Sequence, residues 1–182
     1  MKIQEFLNQK PKCVWCKVLL LVFFILIFTG SDLIVKEVVT QNLKNKPEVT
    51  VIRGFWSFHY VVNDDIGFSI LRWVSNFLNT HQKWIFLVIL QGVGSLVVIG
   101  FYFYSNTVKL MIPLGLIVSG ALGNVIDRII RGYVVDYVMW YYKDFIWPIF
   151  NLADVYTVIG ACLLFIVVFF FSKDLDLKEK SS

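Results

Sequence analysis

The sequence predicts a membrane all-α bundle of four transmembrane helices, carrying a small extracytoplasmic β-sheet and a short amphipathic surface helix. Three observations predict it. Of 182 residues 58% are hydrophobic and mean hydropathy is +0.70, more apolar surface than a soluble chain of this size could bury. The apolar residues gather into four long runs. Between the first two runs lies a segment whose apolar positions follow first a strand period and then a helical one.

The length fits one integral membrane domain, residues 1–182. The runs place the spans at about 18–36, 84–104, 110–131 and 145–171, with an outer loop at 37–83 and a charged tail at 172–182. Each span is near the roughly 20 residues that cross a hydrocarbon core about 30 Å thick. Lipid offers the backbone no hydrogen-bond partners, so runs of this length must be helices. The N-terminus imitates a signal peptide, with Lys2, Lys10, Lys12 and Lys17 before an apolar core and Thr29-Gly30-Ser31 as a small-residue site. The apolar stretch resumes at Leu33-Ile34-Val35, which favours an uncleaved anchor. Those lysines, with Lys109 in the short second connection and Lys173, Lys178 and Lys180 in the tail, place both termini in the cytoplasm. Lysine clustering at the chain ends reads as topology, not as a nucleic-acid surface.

In the outer loop, Val49–Ile52 and Phe55–Val62 read as strands, with Trp56, Phe58, Tyr60 and Val62 on one face. Asn63-Asp64-Asp65 reads as a turn. From Phe68 to Leu78 the period is helical, as expected for a helix lying on the membrane surface. Cys13 and Cys16 form one Cys-x-x-Cys before the first run, too few ligands for a zinc site and without the thioredoxin-like context that marks redox chemistry. Cys162 reads as a packing residue. The string Ile159-Gly160-Ala161-Cys162 imitates a lipidation signal but lies deep in the last run.

Ionisable groups inside spans are costly and mark function by default. Asp32 and Lys36 share a face at the outer end of the first helix. Asn124, Asp127 and Arg128 group at the outer end of the third. Asp136 follows at the rim, and Asn151 and Asp154 sit on the outer part of the fourth. Lysine positions set this topology, yet all these polar residues fall at one outer level. Two facing carboxylates can share a proton, one serving as base on a water and the other as acid, which suits amide hydrolysis. The histidines, His59 and His81, both lie in the outer loop, which argues against a histidine metal site. A Ser31–Lys36 pair, a carboxylate-held Mg²⁺ and proton-coupled transport are the competing readings. Residue types alone leave open which two of Asp32, Asp127, Asp136 and Asp154 make the pair.

Three strings decide further: Gly123-Asn124-Val125-Ile126-Asp127-Arg128, then Gly132-Tyr133-Val134-Val135-Asp136-Tyr137, then Phe150-Asn151-Leu152-Ala153-Asp154. With Asp32 and Lys36, they resemble the blocks of the bacterial lipoprotein signal peptidases (signal peptidase II) over nearly the whole chain. The resemblance implies an aspartic endopeptidase of the bacterial inner membrane, without metal or cofactor, that cuts diacylglyceryl-prolipoproteins before the lipidated cysteine. It implies Asp136 and Asp154 as the catalytic pair. Asn63, Asn124, Arg128 and Asn151 match residues that line the site or hold substrate, and Asp127, Asp32 and Lys36 match supporting positions. It also implies an outer sheet acting as a cradle, a surface helix closing over the site, contact with membrane lipids, and inhibition by globomycin-type compounds. One block departs: Asp65-Ile66-Gly67 stands where the family carries a small Gly-Ala-Ala stretch. The departure bears on loop conformation and on substrate or inhibitor preference.

Overall fold

The computed structural model describes residues 13–64 and 79–176, with side chains described up to 171. The expected surface helix at Phe68–Leu78 and the departing Asp65-Ile66-Gly67 lie outside them. Among the described residues four helices are long and apolar enough to cross a membrane: α1 (Val14–Leu43), α2 (Thr80–Tyr104), α3 (Val108–Arg131) and α4 (Leu152–Asp176, its apolar span ending at Phe171). A four-stranded antiparallel sheet, β1 (Val49–Ile52), β2 (Trp56–Asn63), β3 (Val134–Tyr142) and β4 (Phe145–Ile146), is ordered β1-β2-β3-β4.

The helix α3 is the buried centre, packed against each of the other three. Its approach to α4 rests on small residues, as close packing in lipid requires. A Cβ on Gly120 would fall onto the carbonyl oxygen of Ala153 and the Thr157 hydroxyl. A Cβ on Gly123 would stand 2.6 Å from Asp32 Oδ2. By contrast Leu19, Leu26, Leu96, Phe101, Phe165 and Phe169 point outward from α1, α2 and α4. A lipid-facing surface needs such residues, where water would penalise them.

Helix α1 carries one π-helical turn, Ile25–Thr29, where Thr29 Oγ1 donates to the Ser119 carbonyl at 2.8 Å. An added residue in a turn shifts the phase of the faces that follow. Beyond it Asp32, Lys36 and Val39 all turn inward and are buried. The helix runs past Lys36 to Leu43, farther than the apolar run indicates.

Gly132 ends α3 in the left-handed region (φ +84), its N–H donating to Arg128 O at 3.1 Å. That conformation favours glycine and lets the chain reverse at once into β3. In the register of β2 on β3, Val61 lies opposite Asp136 and Asn63 opposite Val134. The expected fourth span from Phe145 is corrected: α4 begins at Leu152. Phe145 and Ile146 pair instead with Tyr142 and Tyr141. Pro148 also disfavours helix at Trp147, since the residue before proline is pushed to extended backbone. The Phe150 N–H donates to Val138 O at 3.2 Å and Phe150 O accepts from Val138 N at 2.8 Å, so the approach to α4 is stitched to β3.

Candidate active site

Two backbone devices bring the polar residues together. The stitched Phe150 sets Asn151 just ahead of α4, where Asn151 and Asp154 cap the helix reciprocally. Asn151 Oδ1 accepts from the Asp154 N–H at 3.1 Å, and Asp154 Oδ2 accepts from the Asn151 N–H at 3.2 Å. On the other side, Asp127 Oδ2 accepts from the Val135 N–H at 3.2 Å, which pins the start of β3 to α3. Asp136 is the next residue and is 2% exposed.

Each carboxylate is then oriented by amides. Asp136 accepts from Asn63 Nδ2 at 2.7 Å through one oxygen and from Asn151 Nδ2 at 2.6 Å through the other. Asp154 Oδ1 accepts from Asn124 Nδ2 at 2.9 Å. Asn151 Nδ2 also donates to Asn124 Oδ1 at 3.2 Å, so both carboxylates hang on one amide network. Burial, and then the charge of Asp154, push the Asp136 carboxyl up to about 7. Asn63 and Asn151 oppose that rise by favouring the charged form.

Behind this layer lies a buried ionic one. Lys36 Nζ stands 2.8 Å from Asp32 Oδ2 and 3.2 Å from Asp127 Oδ2, and donates to Asn124 Oδ1 at 2.9 Å. Asp32 Oδ1 accepts from the Ala153 N–H at 3.0 Å, a further cap on α4. Asp127 Oδ1 pairs with Arg131 Nε at 3.0 Å. Lone carboxylates at this depth would be costly, and one ammonium between two of them, with backbone donors, offsets that cost.

Asn63, Asn124, Arg128, Asp136, Asn151 and Asp154 all line one cavity of about 360 Å³. Asp32, Asp127 and Lys36 do not line it and stand behind. Sequence reasoning passed over Gln91, which also lines the cavity and accepts from Arg128 Nη1 at 2.8 Å. Its signal was depth: it is a polar residue within an apolar span. Among the described residues no three His, Cys, Asp or Glu side chains converge as a metal site would need.

A four-helix membrane protein that brings carboxylates and amides to one polar cavity has the equipment of a membrane-embedded enzyme. The family model described as Signal peptidase (SPase) II matches residues 23–170. A lipoprotein signal peptidase of Halothermothrix orenii is 39% identical over 141 residues, covering 77% of this chain and 88% of that protein. One from Symbiobacterium thermophilum is 35% identical over 140 residues, 74% of this chain and 84% of the relative. A bacterial membrane enzyme solved by the in meso method at 2.3 Å resolution superposes with a TM-score of 0.69 at 25% identity, covering 96% of this chain and 94% of its own. The chain belongs to the signal peptidase II family, multi-pass proteases of the bacterial inner membrane.

Proposed function

We propose that the chain removes the signal peptide from diacylglyceryl-modified prolipoproteins, cutting before the lipidated cysteine, with Asp136 and Asp154 as an acid–base pair. The observation that carries the pair is the amide network: each carboxylate is held by asparagine donors at the wall of the same cavity. Family membership and the names of the relatives support the substrate.

The chemistry follows from a pair that holds one proton. Near neutral pH the Asp136 carboxyl, raised to about 7, can keep it, and the part of base falls to the other member of the pair. Asp154 takes a proton from a water as that water attacks the scissile carbonyl carbon. Asp136 gives its proton to the carbonyl oxygen. On collapse the C–N bond breaks, the leaving amine takes the proton held by Asp154, and one hydroxyl of the diol returns its proton to Asp136 as the C=O bond re-forms. No covalent intermediate forms. The lipid on the substrate cysteine holds the bond at the membrane surface. An outer-face site, with both termini in the cytoplasm, is the arrangement such a substrate meets.

The test is a gel-shift assay with a diacylated prolipoprotein in detergent. Asp136→Asn and Asp154→Asn each lower cleavage by at least about 10²–10⁴-fold, the scale of general acid–base catalysis. Both variants keep a sharp thermal transition. Globomycin stops the unmutated chain. Full activity in either variant removes the pair from the mechanism.

A further inference from the structure

The cleavage site leaves one chemically distinctive feature of the sequence unused, Cys13 and Cys16. Their sulfurs stand 2.9 Å apart. Both residues are exposed, and neither is bonded into a disulfide. Cys13 is the N-cap of α1, with extended backbone (φ −161, ψ 164), and its sulfur accepts from the Cys16 N–H at 3.3 Å. The backbone beneath them is anchored. One turn on, Lys17 Nζ donates to Phe103 O and to Ser105 O at 2.7 Å each, and Lys17 O accepts from Tyr102 Oη at 2.9 Å. The two thiols therefore meet on a fixed helix end, where bringing them together costs little further entropy.

We infer that Cys13 and Cys16 are a reversible dithiol–disulfide site, oxidised by exchange with low-molecular-weight disulfides. Three observations carry this: contact between the sulfurs, exposure of both, and the helix-cap hydrogen bond that singles out Cys13 as nucleophile. The pair differs from a lone thiol because the resolving group is already in place. Hydrogen bonds from Cys16, side chain first and then backbone, hold the Cys13 thiol below its ordinary value, which favours the attacking thiolate.

The exchange balances in two steps. The Cys13 thiolate attacks one sulfur of the external disulfide, forms a mixed disulfide and releases one small thiol. The Cys16 thiol then gives up its proton, and its sulfur attacks Cys13 Sγ, closing Cys13–Cys16 and releasing the second thiol. Two protein thiols are oxidised and one small disulfide is reduced. A cytoplasmic position keeps the pair as the dithiol until the thiol pool becomes oxidised.

The experiment uses the intact chain in detergent with Cys162→Ser, equilibrated in glutathione and glutathione disulfide at graded ratios. Samples are acid-quenched, alkylated with a maleimide and weighed by mass spectrometry. The expected result is loss of two alkylatable thiols together, two hydrogens lost in mass, and a linked peptide containing Cys13 and Cys16. In Cys16→Ser a glutathione adduct accumulates on Cys13. In Cys13→Ser the adduct on Cys16 forms at least about tenfold more slowly, as a thiol without the cap bond should. Dithiothreitol restores both thiols. The assignment is overturned if both thiols stay alkylatable at the most oxidising ratio. It is equally overturned if the two single variants gain adduct at equal rates, or if the thiols are masked by bound zinc that a chelator removes.

Discussion

At the scale of the residue, Lys36 sets the direction of the Asn124 amide as well as holding its own ion pairs. An ammonium can only donate, so Asn124 must turn its oxygen to Lys36 and its Nδ2 to Asp154. Lys36→Met is expected to slow cleavage, and in Asn124→Ala the same substitution should cost little more. A double-mutant cycle of turnover rates checks this: additive losses mean that Lys36 does not act through Asn124. Because Lys36→Met leaves Asp32 and Asp127 without their ammonium, Lys36→Met with Asp32→Asn provides the charge-balanced comparison. Asp136 gives a prediction in pH. Its folded value of about 7 lies above the unfolded value of about 3.9, so the folded chain binds the extra proton between them. Stability from this group is fully present below about pH 3.9 and is lost as pH rises through about 7, with a slope near 1.4 kcal/mol per pH unit within that window. Thermal melting across the window should show a downward trend in the unmutated chain that is absent in Asp136→Asn. Cleavage should likewise fall above about pH 7, as the shared proton leaves the pair.

At the scale of the element, the contact between α3 and α4 fixes the distance across the cavity. Gly120→Ala puts a methyl against Ala153 O and the Thr157 hydroxyl. A loss of about 1–3 kcal/mol is expected from overpacking, together with slower cleavage, read by thermal melting and by the gel-shift assay on the same sample. Helices were the legible elements, because a span must be a long apolar run and lipid imposes one backbone solution on it. The strands β1 and β2 were legible from alternation. The strands β3 and β4 were not. Val134–Tyr142 is rich in apolar and aromatic residues on both faces, since its first half is buried between sheet and bundle, so no alternation marks it. Phe145 and Ile146 continue an apolar string into α4 and look like part of the same span. The polar cluster was visible as a level in the membrane, but its wiring was not. No spacing rule places Asp32 against Ala153, or tells that Asn124 faces Lys36 and Asp154 at once.

At the scale of the whole molecule, the cavity lies at the end of the bundle where the sheet joins it. The substrate side is therefore decided by which way the chain threads the membrane. Both termini in the cytoplasm predict opposite labelling of two sites in a chain whose native cysteines are replaced. Asn106→Cys, in the connection from α2 to α3, should react with a membrane-impermeant maleimide only after the cytoplasmic face is opened. Arg53→Cys, between β1 and β2, should react in intact spheroplasts. The reverse pattern would put the cavity on the wrong side for exported lipoproteins. The bond from the Ala153 N–H to Asp32 bears on the making of the protein as much as on its resting form. It joins positions 121 residues apart, the first span and the last. Asp154, one residue beyond Ala153, emerges from the ribosome late, so under the proposed pairing with Asp136 a chain still being inserted holds only part of its cutting machinery. On the proposed acid–base pair, a newborn molecule is unable to cut neighbouring precursors until its final helix has docked.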